Sequence, residues 1–196
     1  MKIRKKYVLG IMASPRISGN SDILLDRALL GARNRGAHTE KIILNCLNFS
    51  CCQECESPGE RGVCKIKDDL QDVYLKINQA NALILCSPIF FGSLSAQAKM
   101  LIDRFQCFWQ FKRHNRGKIE RNTKKAAFIC VSAGKREDFF LNARSIVKNF
   151  FATLDADYIT ELFCPLVEHK ADILEHPKKL DKAFILGETL VKSVSV

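Results

Sequence analysis

The chain has 196 residues, 47% of them hydrophobic, which is enough for one domain, 1–196, with a sizeable core. No apolar run approaches the roughly 20 residues that span a bilayer. The basic start, Met1 to Lys6, lacks the cleavage pattern of a secretory signal, so a cytoplasmic protein is expected. Nine cysteines are an odd number, which argues against a complete disulfide framework.

Tyr7 to Ala13 is an apolar run that predicts a first strand. It leads into Ser14-Pro-Arg-Ile-Ser-Gly-Asn-Ser21 and then a helical pattern over 22–35, with Leu25, Ala28, Leu29 and Ala32 inward and Gly36 as its stop. A strand, a hydroxyl-rich loop and a helix start form an arrangement that can hold a phosphate, because a helix N-terminus offers unpaired N–H groups and positive dipole. Ser14, Ser18, Asn20 and Ser21 add neutral donors and Arg16 a charged one. The dinucleotide G-x-G-x-x-G and the Lys-[Ser/Thr] of a triphosphate loop are both missing. An ordinary turn with a helix cap is the alternative.

A second strand is expected over 38–44, and a second helix from Asp68-Asp69, with Leu70, Val73 and Ile77 on one face. The third strand, 82–87, runs into a loop of Pro88, Ile89, Phe90, Phe91, Gly92 and Ser93, and a third helix follows over 95–109. Two aromatic side chains beside a glycine on a loop suit a planar heteroaromatic ligand, although a Phe pair is also ordinary core material. A fourth strand, 126–132, ends in the small-residue turn Ser132-Ala133-Gly134. The fourth helix carries a stripe of Phe139, Ala143, Ile146, Phe150 and Leu154. A fifth strand over 157–164 precedes a helix that starts at Pro177 and presents Leu180, Ala183, Phe184, Leu190 and Val191. Strands alternating with helices predict βαβ units around a parallel sheet, which binds ligands beyond its strand C-termini.

The formal net charge of +10 is concentrated in Lys112 to Lys125, seven Lys or Arg against one Glu. No recognition helix, zinc finger or interleaved aromatic accompanies that run, so nucleic-acid binding is not expected and a solvated loop is. Cys86 and Cys130 lie inside strand patterns and read as buried small hydrophobes.

Ser14-Pro-Arg-Ile-Ser-Gly-Asn-Ser21, Cys64-Lys-Ile-Lys-Asp-Asp-Leu70, Ser87-Pro-Ile-Phe-Phe-Gly-Ser93 and Ala96-Gln-Ala-Lys-Met-Leu-Ile-Asp-Arg-Phe105, in that order, resemble the flavodoxin-like NADPH-dependent FMN reductase family, particularly its iron–sulfur flavoprotein-like branch. The resemblance implies an α/β three-layer sandwich with a five-stranded parallel sheet of order 2-1-3-4-5, so that the loops after strands one and three meet in one crevice. It implies FMN with its phosphate in 14–21, its ring against 88–93 and its far edge near Ser132, Ala133 and Gly134. NAD(P)H would be the reductant, and a flavin, a quinone, another small molecule or a protein the electron acceptor. No side chain is assigned as general acid or base, since the cofactor carries the chemistry. An electron-transfer flavoprotein with a protein donor is the competing reading, against which the basic charge weighs. The family also implies a homodimer or homotetramer, for which Phe105, Phe108, Trp109 and Phe111 offer an aromatic face.

Iron–sulfur flavoproteins carry C-x-x-C-x-x-C followed by a fourth cysteine, so the resemblance nominates Cys51, Cys52, Cys55 and Cys64 for a [4Fe–4S] cluster, with a tetrahedral zinc as the alternative. Aligned on Cys52, Cys55 and Cys64, the first motif cysteine falls on Phe49, which cannot ligate.

Overall fold

A computed structural model describes residues 5–55, 59–115 and 123–194. The apolar runs become β1 (Tyr7–Met12), β2 (His38–Ile43), β3 (Ala82–Phe90), the residue pair β4 (Ser93–Leu94), β5 (Lys124–Val131) and β6 (Ala156–Cys164). Five of them form a parallel sheet of order β2-β1-β3-β5-β6, while β4 pairs antiparallel with the end of β3. Apart from β4, this is the flavodoxin-like order expected from the sequence.

The helices are α1 (Asn20–Asn34), α2 (Leu70–Gln79), α3 (Ala96–Arg104), α4 (Gln106–His114), α5 (Glu137–Thr153) and α6 (Pro177–Ser193). One apolar layer joins the sheet to α2, α3 and α5 through residues such as Leu70, Leu101 and Val147. The other joins it to α1 and α6 through Leu25, Ala28, Leu186 and Leu190. Gly36 stops α1 as expected, with φ of 78° and N–H bonds from Gly36 and Ala37 back to the carbonyls of Arg33 and Ala32. Among the described residues no helix is long and apolar enough to cross a membrane.

Three expectations change. The 95–109 helix is two helices, because the chain turns at Phe105. The Arg104 carbonyl there accepts the Tyr74 hydroxyl at 2.6 Å and the Cys107 thiol at 3.1 Å, and Phe105 N bonds back to Ile102 in a tightened last turn. On α5 it is Phe140 and Val147, not Phe139 and Ile146, that are fully buried. The basic run is no solvated loop at its two described ends: Lys112 bonds the Thr153 carbonyl, and Lys124, 3% exposed, donates to the carbonyls of Asn78 and Ala80. Residues 116–122 of that run lie outside the described residues.

Helices α1 and α6 approach so closely that a Cβ on Gly187 would collide with the Ala28 carbonyl, and one on Gly31 with that of Phe184. Gly187→Ala is therefore expected to destabilise the fold by about 1–3 kcal/mol, read as a lowered midpoint in urea unfolding.

Candidate functional site

β1 ends at Met12 against Cys86 of the neighbouring β3, which runs on to Phe90, and one serine knots the two continuations together. Ser95 is fully buried. Its hydroxyl donates to the Ala13 carbonyl at 2.5 Å and accepts the Ala98 N–H at 3.2 Å as the cap of α3, while its own N–H donates to Ser87 Oγ at 3.1 Å. Ala13 N in turn bonds the Cys86 carbonyl at 2.8 Å. The segments after β1 and β3 are thus held to one another at the point where the strand order reverses.

Loop 13–19 runs from this knot into α1. Ser14 Oγ accepts the Arg16 N–H at 3.1 Å, and Ser18, at φ 55°, donates its N–H to the Asp22 carboxylate at 2.8 Å. The buried Asp22 is balanced by Lys41 at 2.7 Å. Burial pulls the Lys41 ammonium down, but hydrogen bonds to Asp22 and Asp26 outweigh it, so the lysine stays charged. Arg16 is exposed, its guanidinium 3.4 Å from the Glu168 carbonyl. Asn20 and Ser21 belong to the first turn of α1, not to the loop. The Asn20 amide donates to the His169 carbonyl at 2.8 Å and accepts the Ile173 N–H at 3.1 Å, fastening segment 169–173 beside the loop. The Ser21 carbonyl accepts the Cys86 thiol. The Asn20 amide is thus occupied; Arg16 and Ser18 are exposed on the loop, Ser14 and Ser21 are buried, and the first turn of α1 leaves its N–H groups without helical partners.

Pro88 to Ser93 form a tight hairpin where an irregular loop was expected. β3 continues to Phe90, and Ile89 and Phe90 pair with Leu94 and Ser93. The two turn residues both have positive φ, 50° at Phe91 and 75° at Gly92, as a type I′ turn requires. A phenylalanine there is strained, by about 1–2 kcal/mol, yet its ring is fully exposed, and Phe90 beside it is 42% exposed. The Gly92 carbonyl accepts the Asn142 amide at 2.9 Å, which ties the turn to α5. A Cβ on Gly92 would press within 2.9 Å of Phe139, whose ring lies 4.3 Å beneath the Arg136 guanidinium. The third turn follows β5, where Ser132 Oγ accepts the Gly134 N–H at 3.2 Å and Ala133 and Gly134 are open to solvent. Together the three turns offer hydroxyls, one guanidinium, helix-start N–H groups and flat apolar faces, a donor set that fits a phosphate ester of a planar ring.

Asp22, Asn142 and segment 168–173 were missed in the sequence. Only Asp22 left a local signal, an acid in the first turn of α1.

The cysteines differ in setting. Cys86 and Cys130 are buried as expected, and burial holds their thiols well above the ordinary range. Cys52, Cys55, Cys64 and Cys107 line one pocket, whereas Cys51 is exposed outside it. The pocket floor is Arg104, whose side chain has no exposure and whose Nε donates to Cys64 Sγ at 3.2 Å. Its other nitrogens bond Asp68 at 2.6 and 3.2 Å and the Ser50 carbonyl at 2.9 Å. Burial alone raises the Asp68 carboxyl; the Arg104 guanidinium and the Ser50 and Leu70 amides outweigh it and hold the group below its ordinary value. Burial pushes the Cys107 thiol up to about 11.

A groove of about 800 Å³ lies elsewhere, between α4 and the C-terminal half of α5, with Trp109, Lys112 and Ile146 on its walls. Of the aromatic face expected for subunit contact, Phe105 is buried in the core, and Trp109 is 42% exposed.

The sequence profile of the NADPH-dependent FMN reductase family matches residues 7–163. The chain is 41% identical over 97 residues to an iron–sulfur flavoprotein of Methanocaldococcus jannaschii, covering 50% of each chain. It is 31% identical over 97 residues to one of Methanosarcina thermophila, covering 50% of this chain and 51% of that one. It spans about half the length of these curated relatives. Among solved structures it is similar to a flavone reductase (TM-score 0.73, 19% identity, 96% of this chain and 62% of that one). It is also similar to an NAD(P)H:quinone oxidoreductase from Methanothermobacter marburgensis (TM-score 0.68, 18% identity, 95% and 98%). At those identities the two structures show the fold alone.

Breaking the buried pair by Asp68→Ala is expected to cost roughly 3–5 kcal/mol at neutral pH, because it strands the Arg104 charge. The Asp68 contribution is complete above about pH 4, the unfolded carboxyl range, and is lost as pH falls through the lowered folded value. Urea unfolding of both proteins at pH 7 and pH 3 checks this: the gap between them should narrow in acid.

Proposed function

The chain belongs to the NADPH-dependent FMN reductase family, and on that premise we propose that the crevice where β1 and β3 end binds FMN and that the protein oxidises NAD(P)H there. The observation that carries this reading is the Ser95 knot, which brings a phosphate-type loop and an exposed aromatic hairpin from adjacent strands to one place. FMN held there would supply the redox chemistry between a nicotinamide and a flavin, a quinone or another acceptor.

The chain's part is binding and orientation. Arg16, Ser14 and Ser18, with the first-turn N–H groups at Asn20 and Ser21, hold the phosphate. Asn20 acts by fixing segment 169–173 through its amide. Pro88, Ile89, Phe90, Phe91, Gly92 and Ser93 bear the ring on one side, and Ser132, Ala133 and Gly134 close its far edge. The exposed Phe91 ring shields the bound ring from water, and its strained backbone is held by the hairpin pairing beneath it. A second copy of the chain, as homodimer or homotetramer, is expected against the exposed Trp109 side of α4.

A second reading is an iron–sulfur flavoprotein that takes electrons from a protein donor. Its ground is the likeness to iron–sulfur flavoproteins; Cys52, Cys55, Cys64 and Cys107 line one pocket, and among the described residues no three ligand-type side chains converge at metal distance. Mixing FMN-loaded protein with NADPH in a stopped-flow instrument separates the two: rapid bleaching of the flavin absorbance is expected for the reductase, and an unreactive flavin would leave only the carrier.

Arg16→Ala is expected to weaken FMN binding by roughly 1.5–3 kcal/mol, the loss of one charge-assisted hydrogen bond. The stability of the ligand-free protein should hardly change, because the side chain is exposed. Titration of ligand-free protein with FMN measures the affinity, and an unaltered Kd would reject the assignment.

A further inference from the structure

The start of α1 carries a buried negative charge where a phosphate is proposed to sit. Asp22 lies in the first turn, its side chain 7% exposed, and its carboxylate takes the Ser18 N–H at 2.8 Å. The backbone bond from Ile23 N to the Gly19 carbonyl opens the helix, so the N–H groups of Asn20, Ser21 and Asp22 have no helical acceptor. A carboxylate and a phosphate are both drawn to this positive helix end, and each repels the other. What offsets Asp22 comes from another strand. Gly10 of β1 pairs in register with Lys41 of β2, and α1 closes onto the sheet over Gly10, where a Cβ would stand 3.0 Å from Leu25 and Leu29. This approach sets the Lys41 ammonium between Asp22 and Asp26, one helical turn apart, at 2.7 Å from each. Burial pulls the ammonium down, yet its hydrogen bonds to the two acids hold it above the ordinary lysine value. The Asp26 side chain is 57% exposed, so water screens the outer acid, whereas the inner one relies on Lys41.

We propose that Lys41 determines whether this loop accepts a phosphate-bearing ligand, by neutralising Asp22 and not by binding the ligand itself. The inference rests on the flavin reading of the crevice and adds a specificity-determining pair to it. Asp22 has two separable effects. Its oxygen fixes the left-handed Ser18, at φ 55°, through a hydrogen bond that a neutral amide also accepts. Its charge does nothing for an anion, and it becomes harmful once Lys41 is lost, because a carboxylate this buried is little screened. Lys41 stands on the edge strand β2, its side chain 24% exposed and its Nζ taken up by the two carboxylates. It is therefore a positioning residue whose influence is confined to the charged end of the ligand. A flavin without a phosphate is blind to the pair.

The test is a charge cycle read with two ligands. The unmodified chain, Lys41→Met, Asp22→Asn and the double variant are each titrated, ligand-free, with FMN and with riboflavin, which has the same ring and no phosphate. Lys41→Met is expected to weaken FMN about tenfold, the scale of one charge pair at a partly buried site, and to leave riboflavin within about twofold. Asp22→Asn should bind FMN more tightly than the unmodified chain, and the double variant should recover the unmodified affinity. Lys41→Arg, which keeps the charge, should retain FMN, and Asp26→Asn should change neither affinity by more than about twofold. A merely structural role would instead weaken both single variants, for both ligands, without recovery in the double variant. Urea unfolding of each ligand-free variant verifies folding, and the gain in Asp22→Asn stands as a test even where Lys41→Met does not fold. FMN binding that Lys41→Met leaves unchanged, equal loss of FMN and riboflavin, or weaker FMN binding by Asp22→Asn would each overturn the proposal while the flavin reading stands. An unmodified chain that binds neither ligand would overturn both.

Discussion

The candidate site depends on one buried serine. A hydroxyl sealed inside a protein must use its hydrogen-bonding capacity or cost stability. Ser95 does so by bonding the Ala13 carbonyl just after β1, the Ser87 side chain within β3 and the first turn of α3 at once. Two loops far apart in sequence thereby become one rigid crevice edge. The hairpin beyond β3 can then carry a phenylalanine in a left-handed conformation, since its strain is borne by strand pairing on one side and by Asn142 on the other.

A second buried polar centre organises the opposite end of α3. Arg104 has no exposed surface, so its charge is tolerable only because Asp68, backbone carbonyls and a thiol surround it. The same residue breaks the helix, since its carbonyl serves Tyr74 and Cys107. Helix α4 leaves the axis of α3 there and packs on the 59–64 turn, which is how Cys107 reaches the other cysteines. Fold and thiol pocket thus share one cause.

The strands and the parallel sheet were legible in the sequence because they follow from local signals, apolar runs of strand length alternating with helical patterns. The strand order was legible only through the resemblance to the flavodoxin-like family, since right-handed crossovers allow several orders. What was not legible depends on long-range contacts. The pattern 95–109 reads as one helix, because nothing local says that Tyr74, some thirty residues earlier, will take the Arg104 carbonyl. Asn20 looks like a phosphate donor until segment 169–173 is seen to occupy its amide. The two neighbouring Phe residues at 139 and 140 differ in role because Gly92 and Arg136 claim the first, while the core takes the second. Lys124 reads as part of a charged loop, yet carbonyls at the N-terminal edge of the sheet enclose it.

We propose that FMN binds in the crevice formed by three turns beyond the strands. Amide chemical-shift mapping of the labelled, ligand-free protein on addition of FMN addresses that placement directly. The largest shifts are expected at residues 14–22, 90–94 and 132–136, with the opposite sheet end around Lys6, Asn81 and Lys124 unmoved. Shifts gathered instead in the groove between α4 and α5, at Trp109 and Ile146, or no shifts at saturating FMN, would contradict it.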